Sequence, residues 1–234
     1  MPGTALVTGA GRGLGAEVAR ALAARGLRVL CHARDGPRAE AIAAAVGGHP
    51  LPGDLRTEAG CAALARAAAE RVRALDLLVH NAGVMPAGSL RDASWAVLEE
   101  ALAVNAIAPI VLTRDLLPLL EAAPRPRVVV VSTQMGRLAT MRANHADNVE
   151  RYGTLLPYRV SKTAVNGFVA VADAELGDRV EFVTLHPGWI RTDMGGPDAD
   201  LDPADAAAEV VRVALDREAY PSGSFVVDGR RSPW

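Results

Sequence analysis

Short apolar segments alternate with longer helical segments along the whole chain, and this alternation constrains the fold more than any other feature. Strands are predicted at 4–8, 27–32, 49–52, 75–80, 126–133, 179–185 and 224–227. Helices are predicted at 13–25, 36–46, 57–73, 94–122, 157–177 and 203–216. Such alternation favours a parallel sheet with helices on both faces. We therefore expect an α/β fold with a doubly wound, seven-stranded parallel sheet, whose ligands bind beyond the carboxyl ends of the strands.

Composition narrows the class of protein. The chain has 234 residues, a formal net charge of −2 and two cysteines, Cys31 and Cys61. This length suits one large domain, and the near-neutral charge indicates no nucleic-acid partner. Two cysteines are too few for a disulfide framework and fit a cytoplasmic protein. We expect no signal peptide, no apolar run long enough to span a membrane, and no metal site. The sequence leaves a homo-oligomer open.

A glycine-rich stretch follows the first predicted strand and opens the first helix. It reads Thr8-Gly9-Ala10-Gly11-Arg12-Gly13-Leu14-Gly15. Glycines permit a tight turn and let backbone N–H groups approach a pyrophosphate at a helix N-terminus. A glycine-rich stretch alone is a weak signal, but its place between a strand and a helix favours dinucleotide binding over a plain turn.

Arginines, rather than an acid, follow the second predicted strand. An NAD site would have an acidic residue here to hold the ribose 2′-hydroxyl. Ala33 stands at the strand end, although Asp35 is close by. Arg12, Arg34 and Arg38 are placed to bind a 2′-phosphate, so the pattern favours NADP(H) over NAD(H). The alternative is that all three are ordinary surface arginines in an arginine-rich chain.

Polar residues follow the next strands as well. Gly53-Asp54-Leu55 comes after the third strand, where Asp54 would accept from an adenine amino group or cap the next helix. Asn81-Ala82-Gly83 comes after the fourth strand, and its small residues would let the backbone pass close to a ribose. Asn105 falls inside a predicted helix, where asparagine is unfavourable. It is expected to hydrogen-bond or to distort the helix, unless the position is an indifferent surface one.

Two segments near the fifth and sixth strands are too long for simple connections. Residues 134–157 are polar and lack strong periodicity, so an inserted loop with a functional or interface role is predicted. Residues 188–202 are rich in Gly, Asp and Pro, and they are predicted to form a mobile lid over a substrate site.

The only lysine of the chain stands in Tyr158-Arg159-Val160-Ser161-Lys162, whereas every other basic residue is an arginine. Four residues make about one helical turn, so the Tyr158 phenol and the Lys162 ammonium are expected on one helix face. A compact ammonium on a flexible stem reaches a small hydroxyl better than a planar guanidinium does. A chance lysine on a solvated helix face is the alternative, and this pair alone does not decide between the two.

Together these motifs resemble the short-chain dehydrogenase/reductase family, and the resemblance covers nearly the whole chain. The pentapeptide, the Pro187-Gly188-Trp189-Ile190-Arg191-Thr192-Asp193-Met194 run and the Asp228-Gly229 tail look most like its carbonyl-reductase branch. The resemblance implies a single Rossmann-type domain over 1–234 and NAD(P)-linked hydride transfer between an alcohol and a ketone or aldehyde.

The resemblance also implies roles for individual residues. Tyr158 would be the general acid/base, and Lys162 would lower the pKa of Tyr158 and hold the nicotinamide ribose. Asn105 would anchor a water in a proton relay. Four residues after the sixth strand would surround the nicotinamide: Pro187, Gly188, Ile190 and Thr192.

Two positions depart from the family pattern. Thr133 stands where a serine is usual, three residues before Gly136, and its hydroxyl has the same donor and acceptor capacity. Ser132 is adjacent, but neighbouring strand residues point to opposite faces, so we expect Thr133 to face the site. His80 stands where the family often has asparagine, which we expect to be tolerated. Met85, Met135, Trp189 and Met194 flank the expected site and favour an apolar substrate.

Two other functions compete with the reductase interpretation. The first is a dinucleotide-binding sensor or scaffold with weakened catalysis, for which Thr133 is the only support. The second is a nucleotide-sugar epimerase or dehydratase on the same fold. The glycine spacing and the short region after the sixth strand speak against that second function.

Overall fold

The computed structural model describes residues 3–143 and 145–234. Within them, the strands are β1 (Thr4–Val7), β2 (Arg28–Ala33), β3 (His49–Pro52), β4 (Leu77–His80), β5 (Arg127–Val131), β6 (Glu181–His186), β7 (Ser224–Val227) and β8 (Arg230–Ser232). The α-helices are α1 (Gly13–Ala24), α2 (Gly36–Val46), α3 (Glu58–Arg71), α4 (Trp95–Leu102), α5 (Ala108–Glu121), α6 (Leu138–Met141), α7 (His145–Tyr152), α8 (Leu156–Leu176) and α9 (Pro203–Leu215). The predicted elements are all present, with ends that agree within about two residues.

The strands form one sheet in the order β3-β2-β1-β4-β5-β6-β7-β8. The first seven are parallel to their neighbours, which confirms the predicted α/β sheet. The strand order reverses between β1 and β4, where a ligand crevice is expected in a doubly wound fold.

The predicted count of seven strands is corrected by β8, which pairs antiparallel to β7 at the sheet edge. The residues of β8 are polar and mostly exposed, so the sequence carries no apolar alternation there. The sequence signal for this hairpin is Asp228-Gly229, because Asp-Gly is typical of two-residue hairpin turns. In the structure both residues have the positive φ that such a turn requires, 48° and 69°.

Both faces of the sheet are covered by helices, because successive strand residues point to opposite sides. Ala5 and Val7 pack with α1, α2 and α9, whereas Leu6 between them packs with α3, α5 and α8. In β5, Val129 faces the first layer and its two neighbours face the second. Near-continuous apolar strands are typical of such a doubly covered sheet.

The predicted loop at 134–157 is wrong in its secondary structure. A 3₁₀-helix (Gln134–Gly136), α6 and α7 lie in this segment. No residue of α7 is buried, and the helical spacing of its three apolar residues, in an otherwise polar stretch, is the signal that the loop prediction missed. The Arg159 side chain on α8 holds the segment, since it donates to the Met141 carbonyl at 3.0 Å and lies 3.0 Å from His145 Nδ1.

The expectation about membrane-spanning segments is also corrected. One long helical run extends from Trp95 to Glu121 and comprises α4, a π-helical segment (Ala103–Ile107) and α5. Its length and composition suffice to span a membrane, contrary to the expectation that no apolar run would. In this fold, however, one face of the run is in the core, where Leu112, Leu116 and Leu120 are fully buried. This packing accounts for the buried face of the run, whereas Ile107 and Ile110 on it are exposed.

Candidate active site

The glycine-rich turn after β1 depends on two glycines that no other residue replaces without strain. Gly9 has a φ of +67°, and a Cβ there would lie 2.9 Å from the Ala82 Cα. A Cβ on Gly15 would lie 2.3 Å from the Gly9 carbonyl oxygen. The Thr8 hydroxyl accepts from the backbone N–H groups of Asn81 and Ala82, both at 3.0 Å. The turn after β1 is thereby tied to the segment after β4.

The N-terminus of α1 opens from this turn without a side-chain cap. Arg12 is the N-cap residue with extended backbone, and its side chain makes no capping hydrogen bond. The first N–H groups of a helix lack intrahelical acceptors and carry the positive end of the helix dipole. This end of α1 is therefore suited to bind an anion such as a pyrophosphate.

The three predicted arginines all line one cavity. Arg12 pairs with Asp193, and Arg38 lies 3.6 Å from Asp35. Arg34 has neither an ion pair nor a side-chain hydrogen bond with any residue in the described ranges. Asp35 caps α2, since its carboxylate accepts from the Arg38 backbone N–H at 3.0 Å. The one acid near the end of β2 is thus engaged by the protein itself.

Asp54 lies on the same cavity, but its carboxylate is engaged by a residue that the sequence interpretation did not single out. Arg56 donates to both carboxylate oxygens at 2.6–3.1 Å, and this contact lowers the Asp54 pKa. Asp54 does not cap α3, because the hydroxyl of Thr57 does so through the Gly60 N–H. The capping alternative for Asp54 is therefore wrong, and an adenine contact has to share the carboxylate with Arg56.

Asn105 lies in the π-helical segment and is buried, which excludes the indifferent surface alternative. Its Oδ1 accepts from the Val84 N–H at 2.9 Å, and its Nδ2 donates to the Val84 carbonyl at 2.8 Å and to Ser161 Oγ at 2.9 Å. The Ser161 hydroxyl donates in turn to the Tyr158 carbonyl at 2.7 Å. Single π turns inside α-helices are frequent at functional sites. Here the π turn connects the segment after β4 to the helix that carries Tyr158.

Tyr158 and Lys162 share one face of α8, and the Lys162 Nζ lies 5.8 Å from the centroid of the Tyr158 ring. Both residues are buried, and the Lys162 ammonium donates to the Val131 carbonyl at 2.9 Å. Burial lowers the pKa of Lys162 to about 8. Burial also raises the pKa of Tyr158, because the phenolate loses its hydration. The lowering of the Tyr158 pKa by Lys162 and an oxidised cofactor stays a prediction.

The two neighbouring hydroxyls after β5 have different partners. Ser132 Oγ donates to Asn166 Oδ1 on α8 at 2.6 Å. Thr133 lies on the cavity, and its Oγ1 accepts from the Met135 N–H at 3.2 Å, which caps the 3₁₀-helix. This bond leaves the Thr133 hydroxyl proton free to be donated, whereas the Ser132 proton is already used.

The segment 188–202 is folded onto itself. Trp189 Nε1 donates to the Gly195 carbonyl at 2.8 Å, and the backbone N–H of Arg191 donates to the Leu201 carbonyl at 2.8 Å. The ring of Trp189 meets the ring of Tyr152 from α7 edge to face, with centroids 5.1 Å apart. The inserted segment and the predicted lid therefore contact each other at the cavity.

One cavity of about 570 Å³ brings these groups together. All of the sequence-predicted site residues except Asn105 line it: Gly9, Gly11, Arg12, Gly13, Leu14, Arg34, Arg38, Asp54, Leu55, Asn81, Ala82, Gly83, Thr133, Tyr158, Lys162, Pro187, Gly188, Ile190 and Thr192. Asn105 does not line the cavity; it hydrogen-bonds to Val84 and Ser161. The four flanking side chains Met85, Met135, Trp189 and Met194 also line it. Within the described ranges, no cluster of His, Cys, Asp or Glu is arranged to hold a metal.

Some cavity residues had no clear signal in the sequence. Tyr152 was an aromatic residue in a polar stretch, and only its contact with Trp189 shows its place. Arg56 has no distinguishing feature in an arginine-rich sequence, and only its bidentate bond to Asp54 shows its role. His32 falls at the end of a predicted apolar strand, where nothing in the sequence singles it out, and it lines the cavity.

Comparison with known proteins agrees with this geometry. The family model of short chain dehydrogenases matches residues 3–201. The C-signal protein of Myxococcus xanthus is 37% identical over 165 residues, covering 68% of this chain and 93% of that protein. A short-chain dehydrogenase of Penicillium roqueforti is 30% identical over 225 residues, covering 90% of this chain and 88% of that protein.

Solved structures show the same fold. An NADPH-bound carbonyl reductase from chicken fatty liver superposes with a TM-score of 0.87 at 26% identity, over 100% of both chains. A short chain dehydrogenase from Burkholderia cenocepacia in complex with NADP superposes with a TM-score of 0.83 at 27% identity, over 97% of both chains. The matched model, the relatives and the shared architecture lead to one conclusion: the chain belongs to the short-chain dehydrogenase/reductase family of oxidoreductases.

Proposed function

We propose that the protein is an NADP(H)-dependent oxidoreductase that interconverts a ketone or aldehyde and the corresponding alcohol. The observation that carries this proposal is the single cavity that joins the three arginines and the open end of α1 to Tyr158, Lys162 and Thr133. When bound, the cofactor supplies the hydride. The protein would hold its phosphates at α1 and at the arginines, and its nicotinamide end near Ile190 and Thr192.

The preference for NADP(H) rests on the positive charge near the end of β2 and on an arginine there that the protein itself does not engage. Arg34 has no partner among the described residues and is therefore free to bind a 2′-phosphate through charge-assisted hydrogen bonds. Asp35, the acid that an NAD site would use for the ribose hydroxyl, caps α2 instead. The NADP-bound neighbours support the same cofactor.

The state of Tyr158 suits a proton donor. A general acid must hold its proton until the reacting oxygen becomes basic, and burial keeps the Tyr158 phenol neutral by raising its pKa. Thr133 would donate to the carbonyl oxygen and orient it, while Tyr158 protonates that oxygen as hydride reaches the carbon. Asn105 and Ser161 hold the first turn of α8 in place through the Tyr158 carbonyl. In the reverse direction, the base would be the Tyr158 phenolate, stabilised by the Lys162 ammonium and the oxidised cofactor, and it would accept the alcohol proton.

The substrate end of the cavity is apolar. The side chains there are Met85, Met135, Tyr152, Trp189 and Met194. Aromatic and thioether side chains make favourable contacts with apolar ligands and provide few polar anchors. We therefore propose an apolar carbonyl compound as the substrate class.

The test is a fluorescence titration of the protein with NADPH and with NADH, followed by NADPH oxidation against a panel of aldehydes, ketones and quinones. We expect NADPH to bind more tightly, and Arg34→Gln to weaken NADPH by roughly tenfold to a hundredfold while leaving NADH unchanged. Arg20→Gln on the exposed face of α1 is the matched control, since Arg20 pairs only with Glu17. Equal or tighter binding of NADH would overturn the cofactor assignment.

The sensor alternative predicts tight dinucleotide binding with no turnover of any carbonyl compound. The named signal protein among the relatives is the observation in its favour. The presence of Tyr158, Lys162, Asn105 and a free Thr133 hydroxyl proton argues for the enzyme. The same substrate panel separates the two.

A further inference from the structure

His32 at the end of β2 is a buried titratable residue that the proposed chemistry does not use. Its Nδ1 lies 3.1 Å from the Gly9 backbone nitrogen, and its Nε2 lies 3.0 Å from the Gly53 carbonyl oxygen. An amide N–H only donates and a carbonyl only accepts. Nδ1 must therefore be the acceptor and Nε2 must carry the proton, so both contacts together define one neutral tautomer.

The imidazole bridges two loops of the dinucleotide cavity. Its first partner, Gly9, has a positive φ in the glycine-rich turn, and the Gly9 carbonyl accepts from Asn81 Nδ2 at 3.3 Å. The backbone carbonyl of His32 accepts from the Ala10 N–H at 2.7 Å. Its second partner, Gly53, begins the segment that carries Asp54. One side chain thus sets the distance between the phosphate end and the adenosine end of the cavity.

We propose that His32 is a positioning residue for the dinucleotide: it holds the glycine-rich turn in its binding conformation by accepting the Gly9 N–H. The inference rests on the proposed function, because it concerns binding of the cofactor. With the Gly9 N–H held by the imidazole and the Gly9 carbonyl by Asn81, the turn has little freedom at the residue where its direction changes. The backbone N–H groups at the start of α1 are then arranged before the ligand arrives.

The surroundings keep the imidazole neutral. Burial lowers the pKa of His32, and this effect outweighs the opposing influence of the Gly53 carbonyl and of Asp54. The other charged groups that line the cavity are Arg12, Arg34, Asp35, Arg38, Arg56, Glu100, Lys162, Arg191 and Asp193. A second ring proton would place an Nδ1–H against the Gly9 N–H, so the bridge works only in the neutral form.

Two amide substitutions separate the two contacts of the ring. In His32→Asn the amide oxygen sits at the δ position and keeps an acceptor for Gly9, but the side chain is too short to reach Gly53. In His32→Gln the amide nitrogen sits at the ε position and keeps the donor to Gly53, but no acceptor remains for Gly9. His32→Leu removes both contacts at similar volume, and it replaces the glutamine variant if that protein does not fold.

The experiment measures the NADPH dissociation constant of each variant by fluorescence, the KM for NADPH and kcat separately, and the urea unfolding curve without cofactor. We expect His32→Asn to bind NADPH within about threefold of the wild type, and His32→Gln and His32→Leu to bind about tenfold more weakly. The value of kcat at saturating NADPH should be unchanged in all three. In the free wild-type protein, ¹⁵N NMR of the imidazole should show Nε2 protonated and Nδ1 unprotonated.

Three results would overturn the proposal. The first is a protonated Nδ1 in the free protein. The second is equal NADPH affinity in the asparagine and glutamine variants despite different stabilities, which would make His32 a purely structural core residue. The third is a wild type that binds neither dinucleotide, which removes the proposed function itself and is recognised before any variant is compared.

Discussion

Acid should destabilise this protein well above the pH at which carboxylates protonate, because it buries neutral histidines. Burial lowers the pKa of His80 to about 3 and of His186 to about 4, against 6.5 for the free side chain. His80 lies 2.8 Å from the Thr113 hydroxyl, and the Lys162 charge further disfavours a proton on its ring. The pKa of the buried His32 is lowered as well.

The sign of the effect follows from linkage. The unfolded chain binds a proton on each histidine below pH 6.5, whereas the folded chain binds none until much lower pH. Stability from these groups is therefore complete above pH 6.5 and is lost as the pH falls towards the folded values. Each pH unit costs about 1.4 kcal/mol per histidine. Between pH 7.5 and 5, His80 and His186 together should cost about 4 kcal/mol, a large part of a typical domain stability of about 5–15 kcal/mol.

The assay is urea unfolding followed by circular dichroism at pH 7.5 and at pH 5.0. Carboxylates with lowered pKa, such as Asp54 and Glu181, lose their contribution only below their own unfolded values, so this window isolates the histidines. A His80→Gln variant is the control, because its loss between the two pH values should be smaller than that of the wild type by about 2 kcal/mol. Equal stability of the wild type at both pH values would refute the reasoning, since the histidines would then be protonated in the folded protein.

Three further predictions concern the cavity. Lys162→Arg should lose about 10²-fold or more in turnover with circular dichroism unchanged, because a guanidinium does not fit the buried point where the ammonium meets the Val131 carbonyl; a fully active variant would make the lysine incidental. Thr133→Ala should lose about 10²-fold in kcat while Thr133→Ser stays active, and a damaging Ser132→Ala beside a silent Thr133→Ala would contradict the assignment of the two hydroxyls. Tyr152→Ala should raise the KM for apolar carbonyl compounds by about tenfold without changing the NADPH dissociation constant, and a change in cofactor affinity alone would place Tyr152 at the wrong end of the cavity.

Most of the layered architecture could be predicted from the sequence because the responsible signals are local. A buried parallel strand must be apolar on both faces, as β5 is, and a helix that packs on it must repeat its apolar residues with helical period. The i, i+4 spacing of Tyr158 and Lys162 puts both on one face of any helix that forms there. The glycine-rich turn likewise follows from backbone sterics, since Gly9 adopts a φ that other residues avoid.

Elements with only a short apolar repeat were missed for the same reason. The helices α6 and α7 bury no residue among those described; α6 has four residues, and α7 has three apolar residues at helical spacing in a polar stretch. They are held by Arg159 and by the contact of Tyr152 with Trp189, both of which join residues far apart in the chain. The edge strand β8 is short and polar, and it forms only because β7 offers unpaired backbone groups.

The sequence by itself determined which residues would gather beyond the carboxyl ends of the strands, because strand order and helix period carry that information. Only the tertiary structure decided what those residues do to one another. It engaged Asp35 as a cap, bound Arg56 to Asp54, and selected one tautomer of His32. It also buried the Tyr158 phenol and thereby raised its pKa, because desolvation depends on everything packed around the phenol, and no spacing along the chain records that packing.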